Sequence, residues 1–180
     1  IANGLVMRAT RDTMIIAPPL VITRAEIDEL VDKARRTLDE THAGLLHLWL
    51  RDAQAAHDLA VQLLEIADEH GFRIWTAAGR CLLGATRVEL GRAEEGLADI
   101  RSGKELYQGL RSPPVFWPFL LLLDAGASCA AGRPADGLPP LEVAIEMMAR
   151  DGGGSALPEM HLLKGDLLAA LPTDDGSEPS

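Results

Sequence analysis

Few side chains in this sequence could do chemistry, and their spacing tests each of them. His42, His47 and His57 could ligate a metal. They form no HExxH pattern and do not share one helical stripe, so they read as surface or interhelix residues. Cys81 and Cys129 fall on apolar segments 48 positions apart. That suits buried thiols better than a disulfide or a metal pair. Asp151-Gly152-Gly153-Gly154-Ser155 lacks the Gly-Lys-Ser/Thr that completes a phosphate loop, and reads as a linker between helices. Trp49, Trp75 and Trp117 could form a ligand cage, but helix-spaced aromatics usually belong to a core. Arg73, Thr76, Arg80 and Arg87 make a rough stripe on one helix. The stripe could line a groove for an acidic partner peptide. It could equally be a solvated face balanced by Glu89, Glu94 and Glu95.

Composition narrows the classes. The chain has 180 residues and a formal net charge of −10, which argues against nucleic-acid backbone binding by simple electrostatics. No run of 18 apolar residues is present, so no membrane span is expected. The first 20 residues carry no basic start followed by an apolar core. A reducing, cytoplasmic setting follows. The first residue is Ile, so the chain is expected to begin inside a longer one.

The elements that must position these residues are helices. Trp75, Ala78, Leu82 and Ala85 recur at steps of three and four, and Ile74, Ala77, Cys81 and Val88 form a second apolar row. A helix apolar on two sides packs between two neighbours. Leu97, Ile100, Tyr107 and Leu110 line the next helix, and the short link at Gly91-Arg92 makes the two an antiparallel pair. The pair recurs. Gly91-Arg92-Ala93-Glu94-Glu95-Gly96-Leu97 returns 41 positions on as Gly132-Arg133-Pro134-Ala135-Asp136-Gly137-Leu138, and Arg51-Asp52-Ala53 lies 40 positions before. Leu82-Leu83-Gly84 matches Leu123-Asp124-Ala125 and Leu163-Lys164-Gly165 at the same period. Two markers with one period imply a helical solenoid, with small residues at 84, 125 and 165 where helices approach closely.

From about Leu45 to Leu171 the text resembles tetratricopeptide-type repeats. Specifically, it resembles the helical-repeat region that follows the ATPase module in large bacterial signalling proteins, many of which begin with an adenylate or guanylate cyclase domain. HLWLRDAQAAHDLAVQLLEIADEHGF, GRAEEGLADIRSG, WPFLLLLDAGASCAAGRPADGL and EMHLLKGDLLAAL carry the likeness. The aromatic pattern is thin, Pro139-Pro140 interrupts the start of a helix, and the last unit lacks its second helix. The resemblance implies a non-catalytic protein-interaction module that binds a protein or peptide, or other domains of a larger chain. An uncapped last unit leaves Leu162, Leu163, Leu167 and Leu168 partly uncovered and open to self-association.

Residues 1–42 differ in kind. Leu5-Val6-Met7-Arg8 and Met14-Ile15-Ile16 flank Thr10-Arg11-Asp12 as a β-hairpin would. Pro18-Pro19 ends the second strand. Thr23 and Glu26 form a capping box before a helix with Ile27, Leu30, Val31, Ala34 and Leu38 on one face. GLVMRATRDTMIIAPPLVITRAEIDELVDKARRTLDE resembles the C-terminal end of class III (omega-type) aminotransferases, which use pyridoxal phosphate. The likeness spans about Asn3 to Thr41 and implies that Arg8 binds the substrate carboxylate in a complete enzyme. A planar guanidinium suits that role. Where the family has Gly-Asp in the turn, this chain has Arg11-Asp12. The cofactor chemistry needs an active lysine, a carboxylate on the pyridinium nitrogen and a phosphate cup. Lys33, Lys104 and Lys164 are the only lysines, and none has the surroundings of the family's cofactor lysine. No cofactor is therefore expected in this chain, and pyridoxal phosphate is implied only for the complete enzyme.

The expected fold is mainly α: a hairpin and one helix, then six or seven helices in an antiparallel helix-pair solenoid. The expected parts are an aminotransferase-like segment at 1–42, repeats at 43–171 and a disordered tail at 172–180. The composition changes at Thr41-His42-Ala43-Gly44. A gene fusion or a splice of neighbouring coding regions would produce this, and a splice explains better why both parts are cut where neither family ends its fold. Core residues are expected at Leu59, Leu63, Trp75, Leu82, Leu97, Ile100, Leu122, Ile145 and Leu163.

Overall fold

The computed structural model describes residues 6–10, 13–17, 23–110, 115–150 and 156–172, with side chains from Thr23 onward. Strands β1 (Val6–Thr10) and β2 (Thr13–Ala17) pair antiparallel, with Val6 opposite Ala17 and Thr10 opposite Thr13. The turn residues Arg11 and Asp12, and Pro18-Pro19, lie outside the described residues. Helices make up the rest: α1 (Arg24–Trp49), α2 (Ala53–Glu69), α3 (Arg73–Glu89), α4 (Ala93–Gly109), α5 (Trp117–Ala130), α6 (Pro134–Arg150) and α7 (Leu157–Ala170). The chain is mainly α.

Helix α1 starts where its cap chemistry says it should. The Thr23 hydroxyl accepts from the Glu26 N–H at 3.3 Å, and the Glu26 carboxylate accepts from the Thr23 N–H at 2.8 Å. Two orphan donors are thereby satisfied. The helix then runs unbroken through Thr41-His42-Ala43-Gly44, where the composition changes. Its two halves have different surroundings. Ile27 and Val31 are 41% and 52% exposed, whereas Ala34, Thr37, Glu40, Thr41 and Gly44 are buried. Leu38, Leu45 and Leu48 pack against the main core. The expected apolar face is therefore used only in its C-terminal part.

Each helix packs against the next in sequence from α1 to α7. Helix α3 also touches α1 and α5, and α5 also touches α7. The double apolar face of α3 is explained by this: twelve of its 17 residues are buried.

Four connections close in the same way. At Gly91 the chain turns with φ of 85°; the Gly91 N–H donates to the Val88 carbonyl at 2.9 Å and the Arg92 N–H to the Arg87 carbonyl at 2.8 Å. This is a Schellman motif, in which a left-handed residue lets two later N–H groups satisfy the last carbonyls of the helix. The same pair of bonds closes α5 at Gly132, α2 at Gly71 and α1 at Arg51. Arg51 has φ of 62°, the one positive value at a non-glycine among the described residues. The 40- and 41-residue spacing of positions 51, 91 and 132 thus appears in the backbone itself.

Small residues set the helix separation. A β-carbon on Gly84 would collide with the backbone carbonyl of Gly96, and one on Gly96 with that of Gly84. One period later, a β-carbon on Gly137 would lie 2.9 Å from the carbonyl oxygen of Ala125. One period earlier, the matching positions are Gly44 and the fully buried Ala56. Gly165 continues the series, but a β-carbon there would meet nothing within 4 Å.

The core falls into two clusters. One centres on α3 and includes Leu63, Trp75, Leu82, Ile100 and Tyr107; the other joins α5, α6 and α7 through Leu122, Leu141, Met160 and Leu167. Of the expected core residues, Leu63, Trp75, Leu82, Ile100 and Leu122 are buried, and Leu59, Leu97, Ile145 and Leu163 are half-buried. Two expectations need correction. Pro139 and Pro140 do not interrupt α6, which begins at Pro134 and passes through both. Burial of Gly137, Leu141 and Ala144 against α5 and α7 holds the helix where two backbone donors are missing. Leu167 is not uncovered: it is fully buried, close to Gly137 of α6. Leu162 and Leu168 are exposed, at 67% and 52%.

Candidate functional site

A cavity of about 180 Å³ lies where α1, α3, α5 and α7 converge. Its apolar wall includes Leu48, Leu122, Leu123 and Leu163, and its polar lining includes Arg51, Glu89, Glu159 and Asp166. The repeat explains how they come together. Ala85, Gly126 and Asp166 occupy one register of successive helices, and Trp49, Glu89 and Ala130 another. Each first helix of a pair therefore turns the same face to the same space.

The Schellman turn at Arg51 aims that side chain toward α3, where its Nη1 lies 3.9 Å from a Glu89 oxygen. Cys129 of α5 also lines the cavity. Burial pushes its thiol above the usual range; the Asp166 charge pushes the same way, and Arg51 opposes. Such a thiol stays protonated at neutral pH and is a poor nucleophile. Cys81, deep beside Gly103, is pushed up to about 12, chiefly by burial. Neither cysteine pairs with the other.

The arginine stripe lies elsewhere. The Arg80 guanidinium donates to Ser102 Oγ at 2.7 Å, and Arg87 is ion-paired with Asp99; both partners are on α4. Thr76 is buried and donates to Asp68 of α2 at 3.1 Å. Arg73 is exposed at the start of α3. None of the four lines the cavity. The spacing did put them on one helix, where Thr76 and Arg87 meet α2 and α4 while Arg73 and Arg80 stay exposed.

The other candidates are also dispersed. Trp75 is buried with its ring centroid 5.0 Å from that of Phe116, Trp117 stacks on Tyr107 at 5.8 Å, and Trp49 stands 37% exposed at the cavity. His42 bonds the Leu38 carbonyl, His47 sits beside Asp52, and His57 meets Thr86 Oγ1 at 3.1 Å. No cluster able to hold a metal occurs among the described residues. Asp151 to Ser155 lies outside them. Arg8 sits on β1 opposite Ile15. No described helix is long and apolar enough to cross a membrane.

The three lysines do not fit a pyridoxal phosphate site. Lys33 pairs with Glu29, Lys104 with Asp124, and Lys164 with Glu142 at 2.7 Å. None lines the cavity. The lining of the cavity was legible in the sequence only after the period had been laid out; Glu159 and Asp166 carry no motif of their own.

A 44-residue stretch of the chain is 61% identical to the putrescine–pyruvate aminotransferase of Pseudomonas aeruginosa. The stretch is 24% of this chain and 10% of that enzyme, so the chain spans about a tenth of the curated relative it matches. No protein-family model matches the chain. No solved structure matches it.

Proposed function

We propose that the N-terminal part, about residues 1–42, is the C-terminal piece of a class III pyridoxal-phosphate aminotransferase, and that it catalyses nothing in this chain. The observation that carries this reading is the 44-residue likeness at 61% identity. The ion-paired lysines support its second clause. Arg8 would bind a substrate carboxylate only in a complete enzyme. A graft tests the assignment: residues 1–42 replace the matching end of the Pseudomonas aeruginosa enzyme. The grafted enzyme should fold and transaminate, and Arg8→Ala in the graft should raise KM for the keto-acid more than it lowers kcat. A folded but inactive graft would contradict it. The 180-residue chain mixed with pyridoxal phosphate should develop no saturable, lysine-dependent absorbance band.

A second reading is favoured by a separate observation. The recurrence of the Schellman turn at 51, 91 and 132, and of the close helix contact at Gly84–Gly96 and Ala125–Gly137, supports a TPR-like repeat module from about residue 43 onward. In this reading the module binds protein segments and belongs to a regulator of the bacterial ATPase/cyclase type. Its binding surface is the face where the first helices of successive pairs meet.

A further inference from the structure

We propose that the cavity between α1, α3, α5 and α7 seats a lysine or arginine side chain presented by a partner protein. The inference rests on the repeat-module reading and names the partner chemistry of that site. Size comes first. Sites for free small molecules run to about 300–1,000 Å³, whereas this cavity holds about 180 Å³, room for one long side chain rather than a cofactor. Lining comes second. Leu122, Leu123 and Leu163 offer apolar wall for the methylene stem, and Glu89, Glu159 and Asp166 add carboxylates to the same lining. A long cationic side chain has that division, an apolar stem and a charged head.

The charges are also available. Glu159 and Asp166 of α7 have no ion-pair partner among the described residues. Glu89 has only Arg51, at the 3.9 Å limit, and the Arg51 side chain is 79% exposed. Arg51 can therefore swing away at little cost when a better-placed cation enters. Trp49, partly exposed, also lines the cavity, and an indole ring attracts a guanidinium. The net charge of −10 adds long-range attraction for a basic partner. An acidic segment would meet three carboxylates and one arginine here.

The test is calorimetric titration of the full chain with a peptide of about twelve residues bearing arginine at alternate positions, beside the same peptide with glutamine in those places. The arginine peptide should bind and the glutamine peptide should not. Glu159→Gln with Asp166→Asn should weaken binding about tenfold or more. Asp28→Asn with Asp32→Asn removes equal charge from the exposed start of α1 and should leave the affinity unchanged. Equal weakening by both double variants would overturn the inference in favour of bulk charge attraction. Equal binding of both peptides, indifferent to Glu159 and Asp166, would overturn it while leaving the repeat-module reading intact. Failure of both peptides to bind a chain shown folded by circular dichroism would overturn the inference and count against that reading as well.

Discussion

The two halves of α1 have different surroundings. From Thr23 to about Lys33 the helix is held mainly by local chemistry: a capping box at its start, and an ion pair between Glu29 and Lys33. Its apolar residues Ile27 and Val31 face water, and Leu30 is half-buried. From Thr37 to Trp49 the same helix is held by packing, with Thr37, Thr41 and Gly44 buried and Leu38, Leu45 and Leu48 against the core. Helix continuity therefore says little about domain continuity. One set of backbone hydrogen bonds can run through two regions whose stabilities come from different sources, because propagation of a helix needs only that the next residue tolerate helical geometry.

Substitutions can break this comparison. The largest effect is expected in the packed region. Leu82→Ala, at 1% exposure, should cost about 2–5 kcal/mol, read as a fall in the urea midpoint. Ile27→Ala, in the first half of α1, should change stability by less than about 0.5 kcal/mol. Equal costs would show that the first half of α1 is also packed.

The two ends of the glycine series give the next contrast. Gly84→Ala drives a β-carbon into the backbone of α4, where no side chain can rotate away, and should destabilise by about 1–3 kcal/mol. Gly165→Ala meets open space and should stabilise by about 0.5–1 kcal/mol through helix propensity alone. Thermal melts of the two variants moving in the same direction would contradict the close-contact account.

A smaller gain is expected at the turn. Arg51 adopts a left-handed conformation that its side chain opposes. Arg51→Gly should raise stability by about 0.5–1 kcal/mol, the relief of strain less the added freedom of the unfolded chain. A drop in the melting temperature would mean that the Arg51–Glu89 contact outweighs the strain.

The smallest effect is a slope. Burial raises the Glu40 carboxyl above its ordinary range, against the opposing pull of Arg36 at 3.6 Å, and its Oε2 has no hydrogen-bond partner among the described residues. A raised carboxyl holds more protons folded than unfolded, so its contribution to stability falls as pH rises from the unfolded value through the folded one. Glu40→Gln should flatten that fall and leave the variant more stable than the parent at neutral pH. Parallel pH–stability curves for the two would contradict it.

How much was legible follows from the kind of signal each region carries. The capping box and the α3–α4 pair could be read directly, because Thr23, Glu26, Gly91 and the rows through Leu82 and Ile100 act within a few residues. The close approach at 84 and 125 was readable from the period; its absence at 165 was not. The continuity of α1 was not, since a change in composition at Thr41 to Gly44 does not break helical geometry. Passage of α6 through Pro139 and Pro140 was hidden too, because tertiary packing overrides a local penalty. The arginine stripe could be placed on α3, but periodicity puts side chains on a face without saying which neighbours pair with them. The cavity joins residues from position 48 to position 166, and its acidic rim has no local signature.

The most direct test is native-state hydrogen exchange along α1 in the full chain, followed residue by residue by NMR. The account predicts low protection from Glu26 to about Lys33, then a steep rise from Ala34 to Leu48 toward the level of α3. Uniform protection along the whole helix would show that one packed structure encloses both halves, and would contradict the proposed division between an aminotransferase-like segment and a helical stack.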